Sequence, residues 1–178
     1  MTSYLSHFII KIDGQPTSEQ FMDDLDEVVV DTSLHLPDMF TIRLRDPDAV
    51  WVDDDLLDIG KEVEISAECG QEQSEAQGLL IKGEITAVEP DFAAAGSTTM
   101  LVRGYDKSHR LHRGRQTRTF LRHKERDLAT TVAGEADLTP EVDTTTVTYE
   151  YVLQNNQSNM EFLLARAERI GYQVFASE

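Results

Sequence analysis

The stretch "KEVEISAEC", residues 61–69, decides how the chain folds. Val63, Ile65, Ala67 and Cys69 alternate with Glu62, Glu64, Ser66 and Glu68, a period of two that gives an extended chain one apolar and one polar face. The alternation predicts a half-buried strand. It also places Cys69 in the apolar row, as a small buried hydrophobe rather than a nucleophile.

The same period recurs on both sides of this stretch. Upstream, Phe8, Ile10 and Ile12 alternate with less apolar neighbours until the turn "DGQP" at 13–16. Val28 and Val30 open a second strand. After Pro37-Asp38, Phe40, Ile42 and Leu44 alternate with Thr41, Arg43 and Arg45 until Asp46-Pro47 stops the run. Downstream, "EQSEAQG" (72–78) reads as a hairpin loop into "LLIKGEITAVEP" (79–90), and "AAAGS" (93–97) as a loop into "TTMLVRGY" (98–105). Five or six consecutive strands with short connections predict an antiparallel barrel or sandwich.

The period then changes. Leu128, Val132 and Ala136, four residues apart, predict a helix over "ERDLATTVAGEA" (125–136), ended near "DLTP" (137–140). Val147, Tyr149, Tyr151 and Leu153 alternate as one face of a further strand. In "NNQSNMEFLLARAERIGY" (155–172), Ser158 and Glu161 form a capping box, and Met160, Leu163, Leu164, Ala167 and Ile170 line a helical face. Gly171 stands at the expected left-handed C-cap. The closing "GYQVFASE" (171–178) resembles a strand that has just begun, and the expectation is that more chain follows.

A chain of 178 residues can bury roughly 70% of its unfolded surface without staples. One cysteine allows no intramolecular disulfide and suits a reducing compartment. The start, "MTSYLSHFIIKIDG", lacks the basic and apolar regions of a signal peptide, and no run approaches the ~18 apolar residues that cross a bilayer. Synthesis in the cytosol as a soluble chain is expected. A net charge of −17 repels phosphate and anionic lipid, and eleven Arg against five Lys among 33 acids suits solubility in high salt.

One segment breaks the acidic pattern. "LVRGYDKSHRLHRGRQTRTFLRHKER" (101–126) holds nine of the sixteen Lys and Arg residues and only two acids, Asp106 and Glu125, so it carries +7 against −24 elsewhere. It supports two readings. The cations could follow a nucleic-acid backbone, with Tyr105 and Phe120 stacking on bases. Alternatively, the arginines pair with carboxylates of the same chain or of a neighbouring subunit, the planar pairing that a guanidinium favours.

Other constellations have plainer readings. His109, His112 and His123 lack a suitably spaced further ligand and sit among arginines that repel a cation. Asp53, Asp54, Asp55 and Asp58 lack the glycine and bidentate Glu of a calcium loop, and read as a solvated acidic turn. No phosphate loop or nucleophile elbow occurs in the sequence. No catalytic residue, metal or cofactor is expected, and the protein reads as no enzyme.

The blocks "VDTSLHLPDMFTIRLRD", "GKEVEI", "GEITAVEP", "VRGYDKSHRLHRGRQTRTF" and "YEYVLQNNQSNMEFLLARAERIGY", in this order, resemble the hub portion of VgrG-like proteins. These are related to the late control protein D and the tail hubs of contractile phages. The resemblance covers nearly the whole chain and leans toward the phage and extracellular injection-particle branches. It implies a mainly β fold with a few helices: a tube-like antiparallel β-barrel (1–122), a connecting helix and linker (123–146), and the beginning of a second barrel module (147–178). It also implies a structural baseplate hub of a contractile injection system or contractile phage tail. Such a hub is a homotrimeric adapter between a hexameric inner-tube ring above and a spike or spike-tip protein below, with other baseplate proteins around it. Nucleic acid and membrane are not expected partners of the assembled hub. The chain would be cytoplasmic during assembly and then part of a tail or particle, outside the cell after release. Arg103, Asp106, Arg110, Arg113 and Arg115 are the candidates for the subunit interface. The alternative function is a nucleic-acid-binding β-barrel that uses residues 101–126.

Overall fold

A computed structural model of the chain describes residues 5–33, 36–71, 74–92 and 98–176. Two compact units emerge, Met1–Lys107 and Ser108–Ser177. Each has its own apolar core.

The first unit contains β1 (Leu5–Ile12), β2 (Gln15–Pro16), α1 (Glu19–Asp24), β3 (Leu25–Asp31), β4 (Met39–Arg45), β5 (Glu62–Gln71), β6 (Ser74–Asp91) and β7 (Thr99–Asp106). They form one antiparallel sheet in the order β2-β1-β5-β6-β7-β4-β3. The predicted alternation sets its register. Ile10 stands opposite Ile65, and Ile65 opposite Ile81; across the sheet, Ile42 faces Val102 and Leu44 faces Met100. All of these are buried in one continuous cluster with Phe40, Val63 and Ile85. Full burial of each such side chain contributes about 1.5–3 kcal/mol.

A single cluster drawn from both halves of the sheet requires the sheet to curl. β6 supplies the bend: residues 74–84 pair with β5 and residues 83–91 with β7, with register shifts beside Ile65 and Ile85. The result is a barrel-like antiparallel module, as expected. Among the described residues no ladder joins the edge strands β2 and β3, so packing closes the module rather than a hydrogen-bonded seam. Gly104 is needed for that packing. A Cβ there would overlap the Phe40 ring and the Glu84 carbonyl oxygen. The turn Asp13-Gly14, with both φ positive, joins β1 to β2.

Several expectations need adjustment. Ser74–Gly78 belong to β6 rather than to a loop; Gln71 pairs with Ser74, and Glu72 and Gln73 lie outside the described residues. The strands continue there with no apolar row to announce them. The expected loop at 93–97 and the burial of Cys69 also fall outside the described residues. Helix α1, capped by Ser18 and anchored by the buried Phe21, has too few turns for a period to show. Trp51 packs edge-on against Phe21, with its indole N–H donating to Asp24 at 3.0 Å.

The second unit contains β8 (Gln116–Lys124), α2 (Glu125–Glu135), β9 (Thr148–Gln157) and α3 (Asn159–Ile170). β8 and β9 form a two-stranded antiparallel sheet, with Phe120 opposite Val152. Both side chains are buried with Leu128, Val132 and Ala136 from around α2 and with Met160, Phe162 and Leu163 of α3. Helix α3 carries the predicted ends. The Ser158 hydroxyl accepts from Glu161 N–H at 3.1 Å, and the Glu161 carboxylate accepts from Ser158 N–H at 3.0 Å. Gly171 has φ 75°, and Tyr172 N–H donates to the Ala167 carbonyl.

Four details of this unit differ from the sequence expectation. β8, which no apolar period marked, pairs with β9 and not with the first sheet. The face predicted from Val147, Tyr149, Tyr151 and Leu153 does not stay on one side. Tyr149 packs against the core, whereas Val147, Tyr151 and Leu153 are exposed and Val152 and Gln154 point inward. The left-handed backbone at Arg122 (φ 55°) interrupts the alternation at that level of the ladder. On α3, Phe162 takes the inward position and Leu164 is exposed, so the packed face is rotated from the one expected. Residues 171–176 form no strand in this chain, having no ladder to join.

Candidate interface on the arginine-rich segment

The basic segment runs through β7, a 3-10 turn (Lys107–His112), β8 and the start of α2. Most of its cations meet carboxylates or carbonyls within their own units. Arg103 on β7 pairs diagonally with Glu89 on β6 at 3.0 Å, both about half exposed. Lys107 donates to Glu62 at 2.7 Å, beside Lys82, which bridges Glu62 and Glu64. These lysines, Lys107 first, hold the Glu62 carboxyl below its ordinary range, while Glu64 and then Glu62 push the Lys82 ammonium up. Asp106 acts on the backbone: its carboxylate accepts Asp38 N–H at 2.8 Å, and its own N–H donates to Asp38 carbonyl. It fixes the entry to β4.

In the second unit the arginines surround helix ends. Helix α2 has no basic residue in its last turn, where the helix dipole favours positive charge. Arg110 and Arg118 supply it from outside. Arg110 donates to the Ala136 carbonyl at 3.1 Å and lies 3.4 Å from Asp137. Arg118 donates to both carboxylate oxygens of Glu135, at 2.6 and 2.7 Å. Arg115 acts at the other helix, reaching the Asn156 carbonyl at 2.7 Å and both oxygens of Glu161. The Ser158 N–H, and after it Arg115, keep the Glu161 carboxyl below its ordinary value. Arg113 meets the ring of the buried His109, with Nη2 2.6 Å from Nε2. A guanidinium only donates, so Nε2 accepts.

Arg118 and Gln154 form the centre of this arrangement. Gln154 is fully buried. Its Oε1 accepts from Arg118 Nε at 2.8 Å, and its Nε2 donates to the Gln157 carbonyl and to Asn159 Oδ1, both at 3.1 Å. Arg118 Nη2 donates to the same Asn159 oxygen at 3.2 Å, and the guanidinium lies 4.9 Å from the Phe120 ring centre. Among the described residues no buried side-chain nitrogen or oxygen lacks a partner. A fully satisfied network of this kind fixes one geometry. The "QNNQSN" run is therefore structural, since it turns β9 into α3 and binds that turn to β8 and α2. Sequence reading named the segment but not Arg118 or Gln154. The signal was a run of amides directly before a capping box.

The five interface candidates fall in both units. Arg103 and Asp106 belong to the first unit; Arg110, Arg113 and Arg115 belong to the second. His112 and His123 lie apart from any ligand set: among the described residues no three His, Cys, Asp or Glu side chains are grouped to hold a metal. Of the acidic run, Asp54 caps a 3-10 turn at Asp55–Leu57 by accepting Leu56 N–H at 2.9 Å. No described helix is long and apolar enough to cross a membrane.

The family model of the Alg8 N-terminal domain matches residues 3–178. No curated protein matches the chain. Among solved structures, the 43 kDa tail protein of prophage MuSo2 from Shewanella oneidensis superposes with a TM-score of 0.67 at 15% identity, covering 94% of this chain and 49% of that one. A tail protein from Neisseria meningitidis MC58 gives 0.63 at 14% identity, over 97% of this chain and 48% of its own. The E. coli c3393 protein, described as a type VI secretion component with structural similarity to the T4 tail proteins gp27 and gp5, gives 0.55 at 14%, over 86% and 41%. This chain has their fold and spans about half their length or less.

Proposed function

This chain belongs to the Alg8 N-terminal domain family, and on that premise we propose that it is a non-enzymatic structural part of a contractile phage tail or injection particle, placed as a VgrG-like baseplate hub. One observation carries the reading: over 94% and 97% of its length the chain shares the fold of two tail proteins. The motif blocks quoted above agree with it in order and extent.

In this role the protein is a homotrimer. Each subunit contributes a first barrel module (1–122), a connection (123–146) and the opening of a second module (147–178), which together adapt a hexameric inner tube to a threefold spike. The compact units divide earlier, after Lys107, because β8 pairs forward with β9. Arg103 and Arg115 already hold carboxylates of their own chain, yet about half of each side chain remains exposed. Each can share a carboxylate of a neighbouring subunit. Arg110, Arg113 and Asp106 stand closer to the folding of their own unit, and at a boundary they would orient the surface more than add affinity. The occupied arginines weigh against a phosphate-tracking role for residues 101–126. The protein is assembled in the cytoplasm and leaves with the particle.

The test is to purify tail-like particles by gradient sedimentation from cells that make this protein, and to locate it by antibody labelling in electron micrographs. Labelling at the baseplate end of the tube is expected. A chain that sediments only at the top of the gradient, or that co-purifies with free nucleic acid, would overturn the proposal.

A further inference from the structure

We infer that the first unit is an ionic-strength-dependent module, whose stability is completed by screening cations at high salt, while the second unit holds without them. The two units therefore answer salt differently within one chain.

Charge is divided unevenly between them. Residues 1–107 hold 23 acids and seven bases, a net −16, whereas residues 108–178 hold ten acids and nine bases, a net −1. A charge as large as that of the first unit opposes its compact state through self-repulsion. Its seven bases are already engaged, six with carboxylates and Arg45 with the Asp23 carbonyl. However they pair, seven bases cannot neutralise 23 acids.

Placement adds to number. Helix α1 ends on Asp23 and Asp24 with no base in its last turn, and Asp26 and Glu27 follow, so negative charge collects where the helix dipole is already negative. The ladder of β5 with β6 sets Glu62 directly opposite Glu84, two acids on one rung. Between β4 and β5 the chain exposes Asp48, Asp53, Asp55 and Asp58. Dissolved cations relieve repulsion most where the carboxylates are exposed.

The second unit has the reverse arrangement. Helix α3 carries Glu161 in its first turn and Arg169 in its last, and α2 begins with Glu125 and Asp127 while Arg110 and Arg118 serve its other end. These charges attract. Salt screens attraction as it screens repulsion, so the exposed pairs of this unit gain nothing from it.

The experiment uses the 178-residue chain in potassium chloride from about 0.1 M to about 2 M. Trp51, the one tryptophan, is buried in the first unit, and its fluorescence follows urea unfolding there. Hydrogen exchange of peptides from α3 follows the second unit. The expected result is an unfolding constant for the first unit that falls by about tenfold or more across the series, with α3 exchange unchanged or faster. Sodium chloride should act as potassium chloride does. Replacing four exposed acids together, Asp48→Asn, Asp53→Asn, Asp55→Asn and Asp58→Asn, should stabilise the first unit at low salt and shrink its salt response by about a third or more. Glu168→Gln, an exposed position on α3, should leave that response as it was. A Trp51 midpoint that salt does not move, or a salt response that the fourfold variant keeps in full, overturns the inference. So does equal strengthening of both units, which would be the general effect of salt on apolar burial, and so does a response to one cation alone, which would mark a bound ion.

Discussion

Among the described residues, the first unit packs fourteen buried apolar side chains and buries two polar ones, Asp46 and Glu84, while the second packs nine and buries six polar ones. The first is organised by strand alternation and needs its ion pairs only at the rim. The second is smaller in core and relies on directed contacts: Glu125 with Arg166, Gln154 with Arg118, Ser158 with Glu161. An apolar interior tolerates exchange of similar side chains; a hydrogen-bonded one is more exacting, because each lost partner strands another group. Damage should therefore follow volume in the first unit and pairing in the second.

The largest effect is expected where a buried charge loses its partner. Arg166 donates through Nε to Glu125 at 2.9 Å, with a second contact from Nη2, and lies 4.7 Å from the Tyr149 ring centre. Arg166→Met should destabilise the second unit by about 3–5 kcal/mol. Denaturant unfolding of the single variant and of Arg166→Met with Glu125→Met checks it, since the double variant should recover much of the loss. Equal losses in both would make the pair irrelevant. In the first unit the corresponding break is steric. Gly104→Ala forces a methyl group into the Phe40 ring and the Glu84 backbone and should cost about 1–3 kcal/mol or more, read as a lower midpoint. Restoration by Phe40→Leu would sharpen the assignment.

Smaller effects belong to the cap of α3. Ser158→Ala removes the acceptor for Glu161 N–H and should cost about 0.5–2 kcal/mol. Acid tests the other half of the same box. Because the folded Glu161 carboxyl titrates below its ordinary value of 4.5, its contribution is complete above that value and fades as pH falls through the folded pKa. Glu161→Gln should flatten the acid limb of stability for the second unit while leaving the neutral limb parallel.

How legible each unit was follows from the same contrast. Phe40, Ile42, Leu44, Val63 and Ile65 announced themselves by alternation because a one-sided strand must bury every second side chain. The α3 caps were legible because Ser158, Glu161 and Gly171 act within a few residues of one another. β8 was not, for its inward row is Arg118 and Phe120, and a guanidinium in a polar network carries no apolar signal. The exposed row of Tyr151 and Leu153 misled for the converse reason: it is apolar yet faces outward. The basic segment stood out in the sequence, but its intrachain partners, Glu135, Gln154, Asn159 and Glu161, are distant along the chain, and only the fold brings them within reach.

Arg115 and Arg118 fasten the second unit rather than standing free for a polyanion. The direct measurement is a paired one on Arg115→Ala with Arg118→Ala: thermal unfolding, and binding to a random oligonucleotide across a salt series. The predicted result is a clearly lowered unfolding midpoint, with oligonucleotide binding negligible in parent and variant alike. An unchanged midpoint, together with tight salt-dependent binding by the parent that the variant loses, would contradict it.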